Sequence, residues 1–137
     1  MQGKLAVVPL VVSDQARALE FYTDKVGFEK KTDVGGPEGN RFVTVGPKGQ
    51  ELEISLWQVG SPTDPAERER SKQWAPSRAP PFVIRVEDCK LTHEQLSSRG
   101  VAFTRPPMEQ PWGIVATFQD PDGNLFSISQ FRAWRPK

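Results

Sequence analysis

Sliding the sequence along itself by 74 residues lays one half on the other. Val12 falls on Val86, Asp14 on Asp88, Pro47 on Pro121, Gly49 on Gly123, Ile54 on Ile128 and Ser55 on Ser129. Similar residues keep the same offset: Val8 with Phe82, Leu10 with Ile84, Gln50 with Asn124, Trp57 with Phe131. One offset sustained over about 50 residues means an internal duplication, and two copies are too few for a stacked solenoid. The chain therefore reads as one pseudo-symmetric domain, 1–137. Module one spans 4–58, a linker 59–80, module two 81–132 and a basic tail 133–137.

Each half spells the same order of elements. Leu5 to Val12 is an apolar, valine-rich run that reads as a buried strand. Ser13 or Asp14 offers a helix N-cap, Ala16, Leu19, Phe21, Tyr22 and Val26 follow at mixed helical spacing, and Gly27 suits the stop. Strands are expected at Phe28 to Val34, Arg41 to Val45 and Glu51 to Gln58. The last of these alternates polar and apolar residues, the period of a half-buried strand. In the second half, Phe82 to Glu87 is a strand, Asp88 a cap, Lys90 to Arg99 a helix and Gly100 a stop. Val101 to Thr104, Ile114 to Phe118 and Leu125 to Phe131 follow as strands, with Asp120-Pro121-Asp122-Gly123-Asn124 as a hairpin. The linker, rich in Pro, Ser and charge, is read with one helical turn around Pro65 to Trp74.

Composition removes several function classes. Lys and Arg exceed Asp and Glu by a single charge, which argues against a nucleic-acid or anionic-membrane partner. The longest apolar run, Leu5 to Val12, falls far short of the roughly 20 residues a membrane helix needs. No signal-peptide pattern is visible, so a cytoplasmic location is expected. A lone Cys89 excludes an intrachain disulfide, and a lone His93 argues against His-rich metal sites and Ser-His-Asp triads. His93 itself reads as a surface residue of the second helix. Gly35-Gly36-Pro37-Glu38-Gly39 reads as a hairpin turn, since it lacks the Lys-Ser/Thr ending of a phosphate-binding loop.

A strand-helix-three-strand unit written twice resembles the vicinal oxygen chelate superfamily, which includes glyoxalase I, extradiol dioxygenases and bleomycin-resistance proteins. The resemblance runs from Leu5 to Phe131. It rests on Val11-Val12-Ser13-Asp14, on Ala18-Leu19-Glu20-Phe21-Tyr22, on Gly27-Phe28 and on Phe118-Gln119 followed by the Asp120–Asn124 hairpin. The fold this implies is α+β: two tandem βαβββ modules whose mixed sheets curve into a cup for a small ligand.

The resemblance also implies four metal positions, two per module. One lies seven residues before the helix-capping Asp, at Val7 and Pro81; the other lies four residues after the hairpin Gly, at Glu53 and Ser127. Only Glu53 is a strong donor there. Catalytic divalent sites take about three His or carboxylate donors, so no metal and no cofactor are expected.

On alternating strands, residues two apart share a face. If Glu53 faces inward, so do Ser55 and Trp57, and by symmetry Ser127, Ser129 and Phe131. Val7, Pro9 and Val11 join them from one first strand, and Pro81, Val83 and Arg85 from the other. Such an apolar, aromatic-walled cup with few polar groups suits a small organic molecule. Trp112, in the loop before the seventh strand, is placed to close over a ligand. Arg85 could orient a polar group, and Glu53 could serve as acid or base if apolar surroundings raise its pKa. The first reading is thus a metal-free binder of the bleomycin-resistance kind. The alternative is an enzyme, a lyase, isomerase or dioxygenase, using Glu53 as acid/base or in a non-standard metal site with residues such as Glu51. A homodimer is expected from the resemblance, with Trp74 or Trp134 available to dock on a partner. Arg41 is read as a solvated surface residue. Cys89 sits at a helix start, where thiol pKa tends to fall, but no His, Lys or Arg partner is assured, so it reads as unreactive.

Overall fold

In the computed structural model, residues 1–35, 41–59, 65, 66, 69 and 81–132 are described. The chain divides into two compact units, Met1–Pro76 and Ser77–Lys137. Each holds a four-stranded mixed sheet, and together with the helices they make an α+β fold.

In the first unit, β1 (Val7–Val12) leads to α1 (Gln15–Glu20). Asp14 is extended, and its carboxylate accepts from the Arg17 N–H at 3.0 Å, which satisfies an orphan donor of the first turn. From Phe21 to Val26 the helix loosens into a π-helix. That is the physical source of the mixed spacing in the sequence: the wider turn lets both Phe21 and Tyr22 reach the core. Gly27 closes the element at φ 91°, and Tyr22 stacks on Phe28 with ring centroids 5.9 Å apart. β2 (Glu29–Gly35), β3 (Arg41–Gly46) and β4 (Glu53–Gln58) complete a sheet of order β1-β4-β3-β2, parallel only between β1 and β4. Leu10, Val12, Ile54 and Leu56 are buried on the helix side.

The second unit repeats the plan. β5 (Phe82–Arg85), α2 (Cys89–Ser98), β6 (Ala102–Gln110), β7 (Gly113–Gln119) and β8 (Leu125–Phe131) give the order β5-β8-β7-β6. Asp88 caps α2 by accepting from the Leu91 N–H at 3.0 Å, and Gly100 follows at φ 90°. Phe118, Phe126 and Ile128 form the core under the helix, with Phe118 stacked on Phe126. In the β7–β8 hairpin, the Asp120 carboxylate accepts from the backbone N–H of Asp122 and Asn124 and from the Asn124 side-chain amide.

A tether common to both units is absent from any motif. Gln58 Oε1 accepts from the Gln15 N–H at 2.8 Å, and Gln130 Oε1 accepts from the Cys89 N–H at 2.9 Å. Each glutamine pins a helix start to the strand that parallels its unit's first strand. The donors are 74 residues apart and the acceptors 72. The constant offset therefore fails in the last strand. Pro47–Leu52 joins β3 to β4, whereas the shorter Asp120–Asn124 joins β7 to β8. Glu53 lies opposite Val7 as its motif position implies, but Ser127 lies opposite Val83, two residues beyond Pro81. A slip of two preserves which face each residue takes.

Several boundaries also differ from the sequence reading, β4 starting at Glu53 rather than Glu51 and β5 ending at Arg85 rather than Glu87. β1 starts at Val7, leaving Leu5 exposed. β6 runs on to Gln110 through Pro106 and Pro107, because it is an outer strand and its ladder shifts register on either side of Arg105. Pro65, Ala66 and Glu69 are helical; the rest of the linker turn, Trp74, Trp134 and the Gly36–Gly39 turn lie outside the described residues.

Candidate functional site

A cavity of about 510 Å³ opens on the face of the second sheet away from α2. Its walls come from every part of that unit's hairpins. Thr104, Arg105 and Gln110 belong to β6, Trp112 to the turn, Val115 and Thr117 to β7, Leu125 and Ser127 to β8, with Pro81 just before β5. Neighbours Thr104 and Arg105 both reach it because the β6 ladder shifts between Phe103 and Arg105. Thr117 and Ser127 sit side by side on the floor, their hydroxyls 3.0 Å apart and both residues buried. The Thr104 hydroxyl donates to the Thr117 carbonyl at 3.3 Å.

Trp112 is not on a long closing loop. Pro111 and Trp112 are the two-residue turn of the β6–β7 hairpin, and the Trp112 carbonyl accepts from the Arg132 N–H at 3.1 Å. Gly113, next in the chain, has φ 151° and lies so close to β8 that an added Cβ would fall 2.0 Å from the Gln130 oxygen. The indole is thus held at the cavity rim by a rigid turn, half of it exposed.

Of the other residues singled out in the second half, Ser129 is buried opposite Arg85 and Val115 on the same face. The Arg85 guanidinium lies 5.1 Å from the centre of the Phe131 ring, a cation–π contact. These three follow Ser127 along the sheet and do not line the cavity. The residues that sequence reasoning missed are Thr104, Arg105 and Gln110 on the proline-bearing strand, and Val115, Thr117 and Leu125 beside the ones it named.

Glu53, Ser55 and Trp57 share one face of the first unit's sheet, each half-buried. The Glu53 carboxylate accepts from the Thr32 hydroxyl at 2.7 Å and from the Thr44 hydroxyl. The Thr44 bond, then the Thr32 bond, and weakly the Lys31 charge hold its pKa below the ordinary carboxylate value, against a smaller opposing effect of desolvation. An acid/base role needs the opposite shift. The expected apolar surroundings are instead a pair of hydroxyl donors arriving from β2 and β3.

The metal positions can be judged on these donors. In the first unit Val7 offers no donor, and one Glu53 oxygen already accepts two hydroxyls. In the second, Pro81 offers none and the Ser127 hydroxyl is engaged with Thr117. Among the described residues no three His, Cys, Asp or Glu side chains come together as a metal site would require. The residues present do not fit the superfamily's catalytic metal.

Arg41, Cys89 and His93 do not line the cavity. Arg41 is an exposed surface residue that forms a two-pronged pair with Asp33, at 2.6 and 3.1 Å. Cys89 is fully buried, and burial pushes its thiol pKa up, with the Asp88 charge adding to the rise; the helix start does not activate it. His93 is half-buried, its ring edge-on to Phe103 with centroids 4.4 Å apart.

Fold and site together define a doubled βαβββ protein of the glyoxalase type. The chain belongs to the Glyoxalase/Bleomycin resistance protein/Dioxygenase superfamily, whose family model matches residues 4–128. It is 37% identical to the uncharacterized protein YurT of Bacillus subtilis (strain 168), over 93% of this chain and 98% of that one. Among solved structures it is similar to UcmS2, with 36% identity, a TM-score of 0.82, and coverage of 95% of this chain and 99% of that one. It is also similar to TnmS3, an antibiotic binding protein from Streptomyces sp. CB03234, with 31% identity, a TM-score of 0.75, and coverage of 96% and 98%. No helix among the described residues is long and apolar enough to cross a membrane.

Proposed function

We propose that this protein holds a small organic molecule in the cavity of its second unit, without a catalytic metal and without chemical conversion. The observation that carries the reading is the cavity itself. At about 510 Å³ it is of ligand size, it is walled by Trp112, Val115 and Leu125, and it carries a few polar groups at fixed places. The likeness to an antibiotic binding protein at 31% identity supports the same class of function. The donor-poor metal positions support binding over metal chemistry.

The enzyme reading, a lyase, isomerase or dioxygenase using Glu53, is the weaker one. Glu53 is held ionised by two hydroxyl donors and is not tuned toward proton transfer near neutral pH. Arg85, Ser129 and Phe131 extend the binding face beyond the cavity, and Ser55 and Trp57 lie on the equivalent face of the first unit's sheet. The working form we propose is a cytoplasmic homodimer, the dimer being checked by light scattering of the purified chain.

The test is a thermal-shift screen against aromatic drugs and metabolites. A ligand that binds only the folded state raises Tm in proportion to its occupancy. Val115→Trp or Leu125→Trp, each of which fills the cavity, should abolish the shift given by any hit. Hits that still stabilise both filled variants would place binding elsewhere and overturn the reading.

A further inference from the structure

We infer that the cavity selects an acidic aromatic ligand, one presenting a carboxylate or similarly ionised oxygen beside a planar ring; the inference rests on the binding role proposed for that cavity. Arg105 is the one charged residue among those lining it, and none of the lining residues is acidic. It makes no ion pair or side-chain hydrogen bond with any described residue, while other basic side chains nearby in the fold are engaged. Arg132, just after β8, pairs with Glu109 on the strand that carries Arg105. A guanidinium has five N–H donors and no acceptor, so its complement is an oxygen-rich, negative group.

The floor adds to the same bias. Thr117 and Ser127 hold two hydroxyl protons between them, and the single 3.0 Å contact uses one. The other proton is left to donate elsewhere, and the cavity lies directly above. The Thr104 hydroxyl spends its proton on the Thr117 carbonyl. Gln110 and Trp112 also line the cavity, the amide able to donate or accept. The cavity wall therefore carries a net positive charge from Arg105, with no acidic side chain to answer it. The half-exposed indole at the rim supplies a flat apolar surface against which a ring can lie. An oxygen acceptor at the Arg105 end with a ring against Trp112 satisfies both. A cationic ligand would set like charge against Arg105 and leave the donors without acceptors.

Three probes with one ring and three charges test this: 2-naphthoate, 2-naphthamide and 2-naphthylmethylammonium, each titrated calorimetrically into the full chain at low and at physiological ionic strength. The naphthoate should bind about tenfold tighter than the amide, the scale of one charge-assisted contact, and tighter still than the ammonium. Its advantage should shrink as salt rises, because Arg105 is exposed to solvent. Arg105→Gln, a substitution at an exposed position, should remove most of the naphthoate's advantage over the amide. Trp112→Ala should weaken all three alike.

An amide or ammonium that binds as tightly as the naphthoate would overturn the inference, as would a charge preference that survives Arg105→Gln. In either case loss of binding in Val115→Trp and Leu125→Trp would leave the cavity's binding role standing. Binding that persists in both filled variants, or no binding of any probe, would overturn the inference together with that role.

Discussion

Gly113→Ala offers the sharpest check on how the fold builds its site. Gly113 pairs with Phe131 at the end of the β7–β8 ladder, at φ 151°. A Cβ placed there would meet the Gln130 oxygen at 2.0 Å, the Gln130 carbonyl carbon at 2.9 Å and the Phe131 Cα at 3.1 Å. All three are backbone atoms, so no side chain can swing aside. Relief requires the strand end to open, and the strained dihedral adds to the cost. Strain of about 1–3 kcal/mol and the loss of one or two ladder bonds of about 1 kcal/mol each give roughly 2–5 kcal/mol of destabilisation. Gly49→Ala is the control. Gly49 also has positive φ, 82°, yet a Cβ there meets nothing within 4 Å. It should show dihedral strain alone, about 1–2 kcal/mol. Urea unfolding followed by far-UV circular dichroism measures both. Because Trp112 rides on the opened turn, Gly113→Ala should also weaken naphthoate binding, while Gly49→Ala should not. Equal destabilisation by the two substitutions, or a Gly113→Ala protein within about 0.5 kcal/mol of the parent, would refute the close-approach argument.

Three further outcomes follow from the same structure. Asp120→Ala removes the acceptor of three hydrogen bonds at a site 3% exposed, and should cost about 2–4 kcal/mol in urea unfolding, with Asp120→Asn costing less. Glu53 contributes stability above the carboxylate's unfolded pKa, and that contribution is lost as pH falls through its depressed folded value; Tm measured down an acid series should therefore fall more steeply for the parent than for Glu53→Gln. Gln130→Leu, which strips the Cys89 N–H of its acceptor, should lower Tm and speed amide hydrogen exchange at the start of α2, leaving α1 protected as before.

The fold was legible because its strongest signals are local and repeated. Asp14 and Asp88 cap, Gly27 and Gly100 stop, and apolar residues alternate with period two, so each module could be drawn twice from the same cues. The last-strand slip was not legible for the same reason. A shift of two leaves the alternation intact, and only the paired ladders and the Gln58 and Gln130 tethers reveal it. The stretch of β6 beyond Thr104 is hard to read, since Pro106 and Pro107 disfavour a strand and nothing local says that this one lies at a sheet's edge. A strand read only to Thr104 hides Arg105 and Gln110 from the candidate site. Glu53 lies on the expected strand, but its electrostatics depend on neighbours the strand pattern does not show. Thr32 and Thr44 reach it from two other strands, and cross-strand neighbours do not appear in a one-dimensional pattern.

The most direct measurement is calorimetric titration of 2-naphthoate into protein freed of divalent ions by chelation, compared with the same protein given zinc, iron or manganese. One-to-one binding of equal affinity in every sample, lost in the cavity-filled variants, is the predicted result. Binding that appears only once a metal ion is restored would contradict it.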